Sequence, residues 1–143
     1  MTLLRGIVGA VFVALMAGHA SAAVRIANDP GGQIGPYLDN FTMVRNSGQK
    51  VIIDGPCLSA CTMVLGIVPR ERICVTSRAK LGFHAAWNPA ANGKVVMSHA
   101  GTKALWEIYP GHIRSWLSKR GGLKPKMVYL SGSELAAMYP PCR

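Results

Sequence analysis

The N-terminus of this 143-residue chain limits what the rest can fold into, because it has the pattern of a secretory signal. One arginine precedes an apolar run, and small residues that include Ala20 and Ala22 follow it. A positive start, an apolar core of about a dozen residues and an A-x-A site are typical of a cleaved signal peptide. The run is shorter than the roughly 20 apolar residues that cross a bilayer. We predict that 1–22 are removed, with cleavage after Ala23 as the alternative, and that 23–143 form one exported, periplasmic or secreted domain.

Export places four cysteines in an oxidising compartment. An even number of cysteines in a small exported domain predicts two disulfides, with three possible pairings. We predict Cys61–Cys74, which would tie a helix to the following strand, together with Cys57–Cys142. The pairing Cys57–Cys74 with Cys61–Cys142 is the alternative. Zinc bound by three of these cysteines and a histidine is a less favoured interpretation, because the spacing lacks a close second pair of ligands.

The charge balance favours anionic partners. Sixteen lysines and arginines stand against six acidic residues, giving a formal net charge of +10. Such a field attracts lipid headgroups, nucleic acid or acidic polypeptides. Because the chain is predicted to be exported, we expect no nucleic-acid partner. An anionic membrane surface is a candidate partner for the basic edge formed by Lys119, Arg120, Lys124 and Lys126.

The apolar pattern predicts alternating strands and helices. The expected strands are 24–27, 50–53, 73–76 and 81–83, and the expected helices are 36–46, 59–65, 96–108, 111–120 and 131–138. The last helix would begin with a capping box, with Ser131 as N-cap and Glu134 at the third helical position. Strands that alternate with helices predict an α/β fold, here a short, mostly parallel sheet with flanking helices.

The chemically informative stretch is 54–61, in which a strand ends, a Gly-Pro turn follows and Ser59 begins a helix. Serine is a preferred N-cap residue, but a hydroxyl there is also placed for nucleophilic attack beside helix amides that stabilise an oxyanion. His84 ends a short strand 25 residues later and could act as the base. A thiol nucleophile, Cys57 or Cys61 with His84, is the less favoured alternative, because export favours a disulfide.

Four segments occur in an order that resembles a known family. They are Asn28-Asp-Pro-Gly-Gly32, Gly55-x-x-x-Ser59, Arg72-Ile-Cys74 leading to His84, and Leu130-Ser-x-x-Glu-Leu135. The same order is seen in Clp protease proteolytic subunits, which belong to the ClpP/crotonase superfamily. The resemblance extends from about residue 24 to 139, so the chain is similar to an exported, reduced member with a ClpP/crotonase-like fold.

The resemblance implies a function and a set of site residues. Ser59 would be the nucleophile, His84 the general base, and the amides of Gly32 and Ala60 the oxyanion hole. The implied activity is that of an exported serine hydrolase, a peptidase or esterase acting on a peptide or protein substrate, with no metal, nucleotide or coenzyme. Segment 85–122 would replace the helical handle of the family, which borders the substrate groove and mediates contacts in a homo-oligomer.

The sequence departs from the family where the catalytic acid is expected. That position lies just before the Leu130-Ser segment, and the residues here are Lys126-Met127-Val128. We therefore predict a Ser–His dyad, or an acid borrowed from Asp29, Asp54 or Glu107. The alternative function is a catalytically silent Clp-protease-like scaffold in the periplasm that binds peptides or partner proteins.

Overall fold

The computed structural model describes residues 22–143, so the predicted signal peptide lies outside the described residues except for Ala22. The strands are Val24–Ile26 (β1), Val51–Ile53 (β2), Pro56–Leu58 (β3), Ile73–Val75 (β4), Lys80–Phe83 (β5), Trp87–Pro89 (β6), Val95–Met97 (β7) and Val128–Ser131 (β8). The α-helices are Ile34–Ser47 (α1), Val64–Ile67 (α2), His99–Ile108 (α3), Gly111–Ser118 (α4) and Gly132–Ala136 (α5). Short 3-10 turns occupy Ser59–Met63, Arg70–Arg72 and Ala91–Gly93.

The described residues form a mixed α/β fold with small sheets, rather than the single, mostly parallel sheet that was predicted. One sheet has the order β1-β2-β4 with parallel pairs, and a second has the order β3-β5-β8, in which β8 is antiparallel to β5. Strands β6 and β7 form a hairpin. Only Asp54 and Gly55 separate β2 from β3, so the chain passes directly from one sheet into the other. A Cβ at Gly55 would lie 1.9 Å from the carbonyl oxygen of Ala27, so this crossing point requires glycine.

The core lies between the two sheets and the helices. Its buried side chains come from strands and helices alike, including Val51, Ile53, Ile73, Val75, Leu81, Phe83, Leu130, Leu65, Ile113, Trp116 and Leu117. Helix α1 packs against the 3-10 turn at 59–63 and against α2. The part of the fold that carries Ser59 is therefore covered on its inner side by apolar packing.

Several elements differ from the prediction. Pro56–Leu58, which were not predicted as a strand, form β3, and the helix predicted over 59–65 is a 3-10 turn followed by α2. Residues 96 and 97, predicted as the start of a helix, lie instead in β7, which pairs with β6, and α3 begins only at His99, with the Ser98 hydroxyl accepting a hydrogen bond from the Gly101 amide.

Ser131 is the N-cap of the last helix as predicted, but the hydrogen bonds of a capping box do not form. The Ser131 side chain makes no capping hydrogen bond, and Glu134 instead accepts a hydrogen bond from Arg120 at 2.6 Å.

All four cysteines are in disulfides, but neither of the two pairings considered is correct. The structure pairs Cys57 with Cys61 (Cα–Cα 5.3 Å) and Cys74 with Cys142 (Cα–Cα 4.9 Å). The zinc alternative and the thiol nucleophile are overturned, because every sulfur is in an S–S bond. The Cys142 amide donates to the Val75 carbonyl, so the C-terminal segment lies along β4 and brings Cys142 to Cys74.

The disulfides are compatible with an oxidising, extracellular compartment. No helix within residues 22–143 is long and apolar enough to cross a membrane.

Asp54 holds three segments together at the end of β2. Its carboxylate is buried and accepts hydrogen bonds from the Thr76 hydroxyl at 2.7 Å and from the guanidinium groups of Arg78 and Arg25. These donors favour the ionised form more than burial opposes it, and they lower the pKa of Asp54 to about 2. The carboxylate therefore joins β1, β2 and the turn after β4 in its charged form.

We expect the free energy of unfolding to decrease as the pH falls from about 4 to about 2. In the unfolded chain Asp54 takes up its proton near 3.8, but the folded protein resists protonation until about 2, so acid favours unfolding across this range. Urea unfolding midpoints at neutral and acid pH measure the effect. Asp54→Asn should weaken the dependence, whereas Asp39→Asn, at an exposed carboxylate, should keep it. An undiminished dependence in Asp54→Asn would contradict the prediction.

Candidate active site

Ser59 occupies a sharp turn between β3 and the 3-10 turn that follows it. Its φ is +55°, in the left-handed region that side chains other than glycine rarely adopt. Such a conformation costs on the order of 1–3 kcal/mol and persists only where the surrounding structure holds it in place. Ser59 is the first residue of the 3-10 turn, and its hydroxyl contacts a histidine rather than acting as an N-cap.

Sheet register brings His84 to Ser59. Strands β3 and β5 are parallel neighbours in which Leu58 lies opposite Gly82. Their carboxyl ends therefore meet at one edge of the sheet, where ligands commonly bind in α/β folds. Ser59 follows the end of β3 and His84 follows the end of β5, and the distance from Ser59 Oγ to His84 Nε2 is 2.8 Å. The structure thus brings these two predicted site residues into hydrogen-bond contact.

The other nitrogen of His84 is held by the main chain. Nδ1 lies 2.7 Å from the carbonyl oxygen of Ala85, and the N–H of the same peptide unit, that of Ala86, donates to the Thr102 hydroxyl at 3.0 Å, which fixes that peptide. A carbonyl oxygen can only accept, so Nδ1 carries the proton in the neutral ring. Nε2 is then the acceptor for the Ser59 hydroxyl. This is the tautomer that a general base needs.

None of the three acids proposed as a borrowed partner contacts His84, so that prediction is wrong. Asp29 accepts hydrogen bonds from the Gly31 amide and the Tyr37 hydroxyl, and Asp54 is bonded to its arginines. Glu107 accepts a hydrogen bond from a lysine one helical turn away at 2.6 Å. Each carboxylate is engaged elsewhere, and the Ala85 carbonyl takes the position that an acid would occupy.

A glycine loop packs directly against the turn at Ser59. The Asp29 amide donates to the Pro56 carbonyl at 2.8 Å, and the Leu58 amide donates to the Asp29 carbonyl at 2.9 Å, so this loop runs along β3. Gly31 has φ +83°, and a Cβ there would lie 2.5 Å from the Cβ of Ser59. Only glycine allows this close approach.

The Asp29 side chain shapes this loop. Its carboxylate accepts the Gly31 amide at 2.8 Å, the local bond by which aspartate favours turns. Burial and the Asp29 carboxylate raise the pKa of Tyr37 to about 12, so Tyr37 is a neutral donor to the same carboxylate. Asn-Asp-Pro-Gly-Gly was predicted to be a turn, and the role of Asp29 in it could have been found from the same segment.

The resemblance implies that the amides of Gly32 and Ala60 form an oxyanion hole. Both residues line the cavity that contains Ser59 and His84. Ala60 is second in its 3-10 turn, before the first amide that the turn can bond internally. In the described part of the chain, neither amide donates in a turn, loop or side-chain hydrogen bond. Neither N–H group is therefore taken up by another hydrogen bond among the described residues.

Two buried hydroxyls hold the main chain of Ser59 from the inside. The Thr62 hydroxyl donates to the Ser59 carbonyl at 2.6 Å, and the Tyr109 hydroxyl, 2.7 Å from it, then donates to Thr62. Thr62 and Tyr109 are buried, and burial raises the pKa of Tyr109 to about 12, so the phenol stays protonated at neutral pH. Sequence reasoning missed this pair, because Tyr109 is distant in the chain and lies at the break between the helices predicted at 96–108 and 111–120.

The cavity in front of Ser59 has a volume of about 670 Å³. One wall is the glycine loop, and the opposite wall combines the β6–β7 hairpin with α3. Its apolar surface includes Ile34, Ala86, Trp87, Pro89 and Leu105. No group of three or more histidines, cysteines or acidic residues that could hold a metal occurs among residues 22–143. Cys57 and Cys61 lie on either side of Ser59 in the chain, while Cys74 is on β4 and Cys142 is in the C-terminal segment beside it, and neither of these two lines the cavity.

Neither the family models nor the curated proteins that were compared with this sequence gave a match.

Proposed function

We propose that this chain is an exported serine hydrolase of the Clp-protease-like type, which cleaves peptide or ester bonds with a Ser59–His84 dyad. The observation that carries the proposal is the 2.8 Å contact between Ser59 Oγ and His84 Nε2. It occurs at a residue with a left-handed backbone conformation, and such strain is concentrated at functional sites. The four segments that resemble the Clp protease family support the same fold and the same roles for both residues.

The chemistry follows from the contacts at the site. Ser59 Oγ attacks a carbonyl carbon, its proton passes to His84 Nε2, and the negative charge moves to the carbonyl oxygen. The amides of Gly32 and Ala60 would stabilise that oxyanion, and one such donor typically contributes about 10²- to 10³-fold in kcat. His84 then gives the proton to the leaving group. In the second half of the reaction, His84 takes a proton from water as the water attacks the acyl carbonyl carbon, and it returns that proton to Ser59 Oγ when the acyl–oxygen bond breaks.

The missing carboxylate does not remove the base function from His84. In Ser-His-Asp hydrolases, replacing the aspartate with asparagine costs about 10⁴-fold in kcat, because the amide selects the wrong imidazole tautomer. The Ala85 carbonyl accepts from Nδ1 and so selects the productive tautomer. It carries no full negative charge and stabilises the imidazolium ion less than a carboxylate would. We therefore expect a slow hydrolase.

Labelling with a fluorophosphonate probe tests the proposal. The purified protein, oxidised and with its signal removed, should become labelled at Ser59, and Ser59→Ala should eliminate the labelling, because the probe reacts with activated serine hydroxyls. Ser115→Ala is the matched control, since Ser115 is an exposed serine on α4, and it should be labelled like the wild type. Intact-protein mass spectrometry measures the extent of labelling, and peptide mapping locates it. Persistent labelling of Ser59→Ala, or no labelling of the wild type, would reject the hydrolase.

A peptide-binding scaffold is the second candidate function. One observation that favours it is that His84 Nδ1 contacts the neutral Ala85 carbonyl and not a carboxylate. Another is the exposed apolar surface of the hairpin, where Trp87, Val95 and Val96 are each about half exposed. If the protein is a scaffold, the wild type and Ser59→Ala should bind peptides with equal affinity, and neither should turn them over. Fluorescence anisotropy with a peptide library, read beside a turnover assay, separates the two functions.

The homo-oligomer also remains a proposal. Segment 85–122 contains the β6–β7 hairpin, α3 and α4. Its exposed apolar residues are the surface that contacts between subunits would cover. Sedimentation of the wild type and of Val95→Lys tests this, and an unchanged sedimentation coefficient would contradict it.

A further inference from the structure

The Cys57–Cys61 disulfide spans the candidate nucleophile. Cys57 is the middle residue of β3, and Cys61 is in the 3-10 turn, so Ser59 is the central residue of the five in this loop. Both cysteines are fully buried. Cys57 is also fixed from outside the loop, because it lies opposite Leu81 in the register of β3 with β5, the strand that leads to His84. The disulfide therefore joins a fixed strand to the turn that carries Ser59.

The Cys57–Cys61 disulfide is incompatible with a fully extended chain between the two cysteines. Four residues of extended chain span about 13 Å, whereas two cysteines can be bridged only when their Cα atoms are within about 7 Å. The observed Cα–Cα distance is 5.3 Å. Leu58 is extended, with φ −115° and ψ 153°, so the chain reverses after it, where Ser59 has φ +55°. If Ser59 relaxed to an extended conformation, Cys61 would move out of reach of Cys57.

The sizes of the two loops indicate different roles for the two disulfides. Cys57 and Cys61 are four residues apart, whereas Cys74 and Cys142 are 68 apart. The stabilisation of the whole fold by a disulfide increases with the length of the loop that it closes. The short bridge therefore constrains the denatured chain much less than the long one does. Its main effect is local and falls on Ser59.

We propose that the Cys57–Cys61 disulfide is a positioning element, which holds Ser59 in the left-handed conformation that places Oγ against His84 Nε2. The inference rests on the proposed hydrolase function and names what keeps its nucleophile in place. It goes beyond the structural role expected of a disulfide, because it links the reactivity of Ser59 to the oxidation of one particular pair of cysteines.

The test compares two variants that each lack one disulfide. Fluorophosphonate labelling of Cys57→Ala/Cys61→Ala should have a maximal rate constant, kinact, about 10²-fold below wild type, since a displacement of about 1 Å can cost that much. Its KI should be unchanged, because the cavity walls remain. Cys74→Ala/Cys142→Ala, measured at a temperature at which circular dichroism shows it folded, should keep the wild-type kinact. If kinact depended only on overall stability, the Cys74→Ala/Cys142→Ala variant would show the greater loss of kinact.

A redox experiment makes the test independent of alanine substitutions at Cys57 and Cys61. Cys74→Ala/Cys142→Ala retains only Cys57–Cys61, so reducing it by unfolding in dithiothreitol and refolding yields two thiols at these positions. The reduced form should show the low kinact. Glutathione disulfide should re-form the Cys57–Cys61 bond and restore the kinact of the oxidised protein. It accepts two electrons and two protons from the two thiols and leaves as two glutathione molecules.

The outcomes separate this inference from the function on which it rests. No labelling of the wild type at Ser59 would overturn both. Labelling of the wild type together with an equal kinact in folded Cys57→Ala/Cys61→Ala, or in the reduced single-disulfide protein, would overturn the positioning role and leave the hydrolase intact. If the alanine variant does not fold, the reduced and oxidised forms of the single-disulfide protein decide.

Discussion

Replacing His84 with glutamine is expected to lower the rate of fluorophosphonate labelling at Ser59 by about 10²- to 10⁴-fold, the usual contribution of a general base. Glutamine fills a similar space and can accept a hydrogen bond from the Ser59 hydroxyl, but it cannot take up its proton. The position of Oγ at the end of β3 should be retained, because the glycine loop and Thr62 contact Ser59 independently of His84. The loss should therefore appear in kinact and not in KI.

His99→Gln provides the matched control for this experiment. His99 is exposed at the start of α3 and does not line the cavity, so its replacement should leave the labelling rate unchanged. Labelling should be measured over time by mass spectrometry at several probe concentrations, to separate kinact from KI. Equal labelling of His84→Gln and the wild type would show that Ser59 reacts without a base, and the dyad would be wrong.

Removing the Cys74–Cys142 disulfide is expected to have the larger effect on stability. For a loop of this length, with its ends 68 residues apart, loop-closure entropy gives a loss of about 4 kcal/mol in the free energy of unfolding. The four-residue separation of Cys57 and Cys61 corresponds to about 2 kcal/mol in the same treatment. The comparison of the two double alanine variants is therefore a comparison of loop lengths within one protein.

Loss of the Cys74–Cys142 disulfide would weaken the attachment of the C-terminal segment to β4. This segment lies along β4 through two main-chain hydrogen bonds, from Val75 to the Pro140 carbonyl and from Cys142 to the Val75 carbonyl. Arg70 adds a further contact, to the carbonyl of Met138. Without the disulfide these bonds must hold the segment alone. Urea unfolding of both variants and the wild type, followed by circular dichroism, measures the losses, and a greater loss in Cys57→Ala/Cys61→Ala would contradict this account.

Local signals in the sequence predicted some, but not all, of the elements that carry the site. Strands of β-branched residues such as Val51–Ile53 and Ile73–Val75 have the composition of buried strands and occur where predicted. The short strand before His84 was also predicted, but β3 was not, because Gly55 and Pro56 were interpreted as a turn and Pro56 is the first residue of β3. The contact between the two side chains depends on the register of β3 with β5, which no local signal determines.

The disulfide pairing and the hairpin could not be predicted because they depend on distant or weak contacts. Cys142 reaches Cys74 only because the C-terminal segment lies along β4. Strands β6 and β7 are exposed and have no buried face, so the alternation that identifies strands is missing there. The partner of His84 Nδ1 had no signal at all, since every residue has a main-chain carbonyl.

The pairing pattern has a consequence for how the chain acquires its disulfides. In a protein that enters an oxidising compartment N-terminus first, Cys57 and Cys61 emerge before Cys74 and Cys142, so they can join before another partner is present. Once they have joined, Cys74 has no partner until Cys142 arrives 68 residues later. The native pattern is thus the one that strict order of emergence produces. An oxidant that joins cysteines as they appear is sufficient, and no reshuffling by an isomerase is required.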